Sequence, residues 1–294
     1  MSSASFRIKS KDGIRWIESS ALARLAGIVH AFSIRQEGKG ERISRTFSLG
    51  HATAAGTASI ERNRRRFFKA LKAESFQLAS LRQIHSASIY CVEGSRGLHF
   101  TLRGETPTGI PAGAEPSGDA LLTKDREILL GIRTADCMPV LLADRQCRAV
   151  AAVHAGWRGT LEGIIKKAAI AMARNSGAKP ENIVAIIGPS IRSCCYEVGA
   201  DLAAAFSARF KNPAEFLATL SVHQTLRKSS SRSAASHHLD LVAVAMRQLQ
   251  DAGLRRGNIH IAPYCTACQT DLFFSYRKEG ARAGRMMAVI GIRS

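Results

Sequence analysis

Short blocks of apolar residues, separated by Gly, Pro, Asp and Ser, recur along the 294-residue chain. Ile128–Ile132, Met138–Ala143 and Ala149–Val153 are nearly unbroken and of strand length, so they predict strands buried on both faces. Ile183–Ile187, Asn258–Ala262 and Met286–Ile292 read the same way. Elsewhere the period changes. Leu161, Ile164, Ile165, Ala168, Ala169 and Met172 follow the i, i+3, i+4 stripe of a helix, with Thr160 as its predicted N-cap, Glu162 in the first turn and Gly177 at the stop. Leu239–Gln250 predicts a second helix. A third covers Arg62–Lys72, where Phe67, Phe68 and Leu71 share one side and the arginines the other. Strand and helix signals alternate, with no repeat and no Pro-rich linker, which predicts one α/β domain over 1–294. Gly97–Gly118 and Leu226–His238, rich in Gly, Pro, Thr or Ser, read as flexible loops.

Met138–Ala143 and Arg148–Val153 predict an antiparallel hairpin around Asp144–Cys147. If Ala143 faces Arg148, paired numbers sum to 291, and Cys137 meets His154 at the open end. Opposed side chains then start about 4.5–5.5 Å apart. That suits a metal held by thiolate and imidazole, and equally a nucleophilic Cys beside a His base. A one-residue slip would separate the two faces. Pro139 requires the strand to begin near it or lie at an edge. After His154, HAGWRGT turns from strand to helix beside Arg158, a predicted anion site. For a third ligand the pattern favours His85, at the edge of a strand-like run, over His51, His99, His223, His237, His238 and His260.

Composition narrows the classes. The chain is 46% hydrophobic, enough for a sizeable core, and no apolar run is long enough to span a bilayer. The first residues show no signal-peptide pattern, so a soluble cytoplasmic protein is expected. Seven cysteines at irregular spacing argue against a disulfide framework. The net charge of +19 raises nucleic acid as a partner, but no zinc-finger or RNA-binding signature accompanies it. A solvated basic helix face is expected instead, with a positive field for small anions as a second role.

Seven stretches carry a family resemblance: NRRRFFKAL, QIHSASIY, GDALLT, TADCMPVLLAD, AAVHAGWRGT, IGPSIRSCCYEVG and CTACQTDLFFSYRKEGARAGRMMAVIGI. They are ordered and span most of the chain, and TADC followed by HAGWRGT is the most specific. The chain resembles the bacterial YfiH-type family, once called multicopper polyphenol oxidases or laccases and also named peptidoglycan editing factor. The resemblance implies a layered αββα sandwich with mixed β-sheets. It implies a zinc site of His85, Cys137 and His154. It also implies phosphorolysis of adenosine, inosine and S-methyl-5'-thioadenosine to base and ribose 1-phosphate, with adenosine deamination as a further activity. Asp136 is a candidate to orient a ligand or accept a proton, and Arg158, Arg277 and Arg285 are candidates for phosphate. Zinc lowers the pKa of a bound water, which suits deamination at C6 of adenine.

Three other readings compete. A metal-free Cys–His hydrolase acting on a peptidoglycan precursor uses the same hairpin. A copper-dependent polyphenol oxidase fits less well, because nine histidines without an H-x-H pair are too few for several coppers. A basic nucleic-acid-binding module would show no turnover. Cys265 and Cys268 have metal-like spacing, but with no second CxxC they are expected to be buried small residues, and adjacent Cys194 and Cys195 are not expected to bridge. Trp157 is expected chiefly in the core, and Phe273, Phe274 and Tyr276 are expected there with one polar tip.

Overall fold

In the two central strands, neighbouring side chains go to different cores. Val140 and Leu142, with Ala151 and Val153, pack beneath helices. Leu141 and Ala143, with Val150 and Ala152, pack against a second sheet. This period of two, in runs with no polar residue, is why the segments form strands covered on both sides. The computed structural model describes residues 5–36, 47–50, 56–94, 97–103, 115–220 and 236–294.

One sheet runs β1 (Phe6–Lys11), β2 (Ile14–Ser19), β3 (Ile28–Ser33), β16 (Met286–Ile292), β8 (Ile128–Thr134), β4 (Gln77–Ala79). The other runs β15 (Ile259–Ile261), β11 (Ile183–Ile187), β9 (Met138–Asp144), β10 (Val150–Ala155), β7 (Ala120–Thr123), β5 (Ile89–Glu93), β6 (His99–Leu102). Both are mixed, with β4 parallel to β8, β11 to β15 and β5 to β7. A small third sheet orders β12 (Glu197–Val198), β14 (Ser236–Leu239) and β13 (Leu217–Leu220).

The helices are α1 (Ser20–Ala23), α2 (Thr57–Ala70), α3 (Trp157–Leu161), α4 (Ile164–Ser176), α5 (Ala200–Arg209), α6 (Leu241–Asp251) and α7 (Tyr276–Glu279). α4 and α6 cover the outer face of the β9–β10 sheet through Ile165, Ala168, Met172, Ala245 and Leu249. α2 covers the outer face of the other sheet through Phe67 and Ala70, against Val29 and Val289. The layers are therefore α, β, β, α, as the resemblance implies. Each fully buried side chain the size of Leu141 adds about 2 kcal/mol of hydrophobic stabilisation.

Several expectations shift. The β9–β10 register sums to 293, with Val150 opposite Ala143 and His154 opposite Pro139. The tight turn starts one residue later than expected. Cys147 takes a left-handed φ of 54° and donates its N–H to Asp144, whose own N–H is bonded to Ala149. A displacement of two preserves the pleat, so Cys137 and His154 still share the face between the sheets. Pro139 sits second in β9, a central strand that begins just before it.

Thr160 is not an N-cap. It is buried in the short α3, and α4 starts afresh at Gly163, whose φ of 82° ends the first turn. Gly177 caps α4 at φ 65°, as expected. The α6 helix starts later than expected because Asp240 caps it, its carboxylate accepting from the N–H groups of Val242 and Ala243. Within the expected loop 97–118, His99–Leu102 instead pairs with β5, and Arg82 bridges to Ser117; residues 104–114 lie outside the described residues. Of 226–238, residues 236–238 belong to β14, and the rest lies outside the described residues, as do His51 and His223.

Candidate active site

The open end of the sandwich gathers three chain segments. β8 ends at Thr134 in one sheet and β9 begins at Met138 in the other, so Cys137 closes the three-residue link between them. His154 is the penultimate residue of β10. His85 lies in the segment before β5. One ligand atom from each of His85, Cys137 and His154 falls within 4.8 Å of the other two, and His85 Nε2 stands 3.7 Å from Cys137 Sγ. The two imidazoles meet edge to face at 5.0 Å.

Asp119, at the start of β7, organises the group. It is fully buried. His154 Nδ1 donates to its Oδ1 at 2.8 Å, which turns His154 Nε2 toward the shared centre. The same carboxylate accepts the backbone N–H of His85 at 3.0 Å, and the N–H and hydroxyl of Ser86 at 2.6 and 2.8 Å. These bonds hold His85 at φ 61°, a left-handed conformation that costs a non-glycine residue about 1–3 kcal/mol. From the other side, Gln83 pairs its side-chain amide with both backbone groups of Arg133 on β8.

Asp136 is also left-handed, at φ 85°. Its Oδ1 accepts from the Thr266 hydroxyl at 2.6 Å. Its Oδ2 accepts from the Ser275 hydroxyl at 3.0 Å and the Arg277 N–H at 2.7 Å. Gly156 faces the two ligands closely: a Cβ there would stand 2.7 Å from His85 Cδ2 and 3.3 Å from Cys137 Sγ.

Charges reinforce the geometry. Burial opposes ionisation of Cys137, yet the neighbouring His154 imidazolium and the hydrogen bonds of both histidines bring its pKa down to about 6. Burial likewise disfavours charge on His154, but the Cys137 thiolate and Asp119 raise it to about 9. One soft thiolate and two imidazoles in a shared cradle fit a single transition-metal ion, zinc or copper by donor type.

The triad opens into a cavity of about 750 Å³. Arg158, Arg277 and Arg285 all line it, and so do Arg82, Arg133, Glu115 and Asp136. Arg158 stacks its guanidinium 4.6 Å from the Trp157 ring and forms no ion pair among the described residues. Arg277 is tied to the Cys195 and Glu197 carbonyls. Arg285 donates to the Ala283 and Gly284 carbonyls. Trp157 packs on the core, as expected, and also lines the cavity. Phe273 and Phe274 are buried, while Tyr276 is 56% exposed at the rim. α3 has only five residues, too short to form the anion site expected at a helix start.

Residues 29–293 match the family described as multi-copper polyphenol oxidoreductase laccase. The chain belongs to this family. Among curated laccase-family relatives, a purine nucleoside phosphorylase of Bacteroides thetaiotaomicron is 30% identical over 281 residues, 95% of this chain and 96% of that one. An adenosine deaminase, RL5, from an unknown prokaryotic organism is 37% identical over 167 residues, 57% of this chain and 59% of that one. The crystal structure of YfiH from Bacillus licheniformis, described as a hypothetical protein, superposes with a TM-score of 0.78 at 25% identity, covering 97% of this chain and 99% of that one. In this laccase-family chain, sequence reasoning brought His85, Cys137 and His154 together and missed Asp119. The signal was a lone acid opening the apolar run GDALLT, but its partners lie 33–35 residues away on either side.

Proposed function

We propose that the chain is a zinc-dependent purine nucleoside phosphorylase acting on adenosine, inosine and S-methyl-5'-thioadenosine, with adenosine deaminase activity at the same site. The carrying observation is the convergence of His85, Cys137 and His154 on one centre in a cavity ringed by guanidinium groups. Kinship with a named phosphorylase and a named deaminase supports the same reading. Zinc held by the three would act as a Lewis acid beside the substrate.

The chain's own groups do the rest. Arg158, with no carboxylate partner among the described residues, is suited to phosphate. Arg285 and Arg277 add positive charge along the path. Phosphate attacks the sugar C1′ as the bond from C1′ to the purine nitrogen breaks; the guanidinium groups hold the phosphate, and the surrounding positive field stabilises the negative charge that develops on the departing purine until it takes a proton from solvent. Trp157 offers a flat apolar wall for a purine. Asp136, whose carboxylate accepts three hydrogen bonds, fixes the conformation of the link that carries Cys137. The substrates are purine nucleosides and phosphate; with a solvated basic helix face, nucleic acid is not among the expected partners.

Metal-quantified protein incubated with adenosine or inosine, with and without phosphate, tests the reading. Free base and ribose 1-phosphate formed only with phosphate support phosphorolysis, and inosine formed from adenosine without phosphate supports deamination. Neither product from zinc-loaded protein would refute it.

A second reading is favoured by the low pKa of Cys137 beside His154, the charge state of a Cys–His hydrolase. Stoichiometric zinc that is lost in His85→Ala favours the metalloenzyme. Rapid inactivation of metal-stripped, still hydrolytic protein by iodoacetamide favours the hydrolase.

A further inference from the structure

Cys265 and Cys268, expected to be buried small residues, converge with Cys194 and Cys195; of the two, Cys265 is buried and Cys268 is exposed. The four sulfurs all lie within 4.8 Å of one another. Cys194 Sγ is 3.9 Å from Cys195 Sγ and 3.6 Å from Cys268 Sγ, and Cys195 Sγ is 3.3 Å from Cys268 Sγ. CTAC lacked a second CxxC, but the adjacent CC pair, some seventy residues earlier, takes its place. The fold makes the meeting: β11 and β15 are parallel neighbours, and the parallel contact extends past their ends through Ser190 and Cys265. Each sulfur pair then sits on a turn leaving the same edge.

We propose that these four cysteines hold one structural zinc ion, which pins the 191–196 loop to the 265–268 turn behind the active-site wall. Thiolates about 2.3 Å from a tetrahedral zinc stand about 3.8 Å apart, and the sulfurs here lie 3.3, 3.6 and 3.9 Å apart with every pair within 4.8 Å. Sulfurs this close surround one ion, not an iron–sulfur cube, whose thiolates stand farther apart. Four thiolates leave no open position, so the site is structural.

The charge of such a centre is balanced locally. Arg192, mostly buried, lies beside Cys194 and Cys265 and donates to the Tyr264 carbonyl at 3.1 Å and to the Ala262 carbonyl. His238 Nδ1 donates to the Ser193 carbonyl at 2.6 Å, bracing the loop from β14. The ion would reach the cavity through contacts already present. Thr266 holds Asp136, the Cys195 carbonyl holds Arg277, and Ile191 and Tyr196 line the wall. The cluster shares no ligand with the His85–Cys137–His154 group.

The test uses full-length protein purified with reductant from zinc-supplemented culture, and a Cys137→Ala variant that breaks the catalytic ligand set. The expected result is two zinc equivalents in the wild type and one in Cys137→Ala. The remaining equivalent should leave as an organomercurial reacts with four of the six remaining thiols, with a chelating dye reporting release. Cobalt-loaded Cys137→Ala should show intense thiolate-to-cobalt charge-transfer absorption, lost in Cys137→Ala/Cys268→Ser. The mercurial titration needs no folded Cys268 variant. The proposal is overturned if Cys137→Ala carries no zinc, if mass spectrometry finds a Cys195–Cys268 disulfide, or if the four thiols alkylate without displacing metal. Zinc that is unchanged by Cys137→Ala sinks the catalytic-centre reading and leaves the four-cysteine site standing.

Discussion

Asp119 is the residue on which two of the three ligands depend. It orients the His154 ring and holds the His85 backbone in a costly conformation. Asp119→Asn keeps the shape but weakens both roles, and metal affinity measured by chelator competition should fall about 10–100-fold. The charge state of the pair gives a second expectation. Between about pH 6 and 9 the metal-free site holds a thiolate at Cys137 and an imidazolium at His154. A metal needs the thiolate and a neutral imidazole. Binding at pH 7.5 should therefore release about one proton, with the number rising below pH 6 as Cys137 protonates and falling above pH 9 as His154 loses its proton. Calorimetry in buffers of different ionisation enthalpy counts these protons. A release of two at pH 7.5 would show that Cys137 enters the site as a thiol.

At the scale of elements, the strand-to-helix junction after His154 is built around missing side chains. Gly156→Ala would push a methyl into His85 and Cys137. A displacement of this kind, about 1 Å at the ligands, should lower kcat/KM about 100-fold while far-UV circular dichroism stays unchanged. The strands were legible because burial on both faces leaves a mark in sequence: β8, β9, β10, β11 and β16 all coincide with apolar blocks. Helix starts were less legible. Thr160 carries the right chemistry for a cap, but whether it caps depends on Gly163 turning left-handed, which no local pattern dictates. The hairpin register missed by two because it rested on which residue closes the turn. Cys137 and His154 survived that error since parity alone decides their face. Asp119 and the four-cysteine cluster were invisible for the opposite reason: their meaning lies in pairings of distant segments, and neither segment is diagnostic by itself.

Across the whole molecule, the net charge of +19 has a local expression. Five guanidinium groups, from Arg82, Arg133, Arg158, Arg277 and Arg285, surround one cavity. Glu115, paired with Arg133, and Asp136 offset part of that charge; the net positive field that remains draws an anionic substrate, and salt screens it. Raising ionic strength from 50 to 500 mM should raise the KM for phosphate roughly three- to tenfold. The KM for uncharged inosine should stay within about twofold of its starting value. Parallel shifts in both would mean that salt acts on the fold and not on steering.

The link that carries Cys137 spans from one β-layer to the other, so the donor atoms can meet only while the two layers keep their spacing. Turnover is then a gauge of how the layers sit. The molecule has two tryptophans, one in each layer: Trp16 in β2 packs in the cluster beneath α2, and Trp157 begins α3 just after β10. Heat inactivation followed by product formation should superimpose on the change in indole emission, with no window in which an intact sandwich is inert.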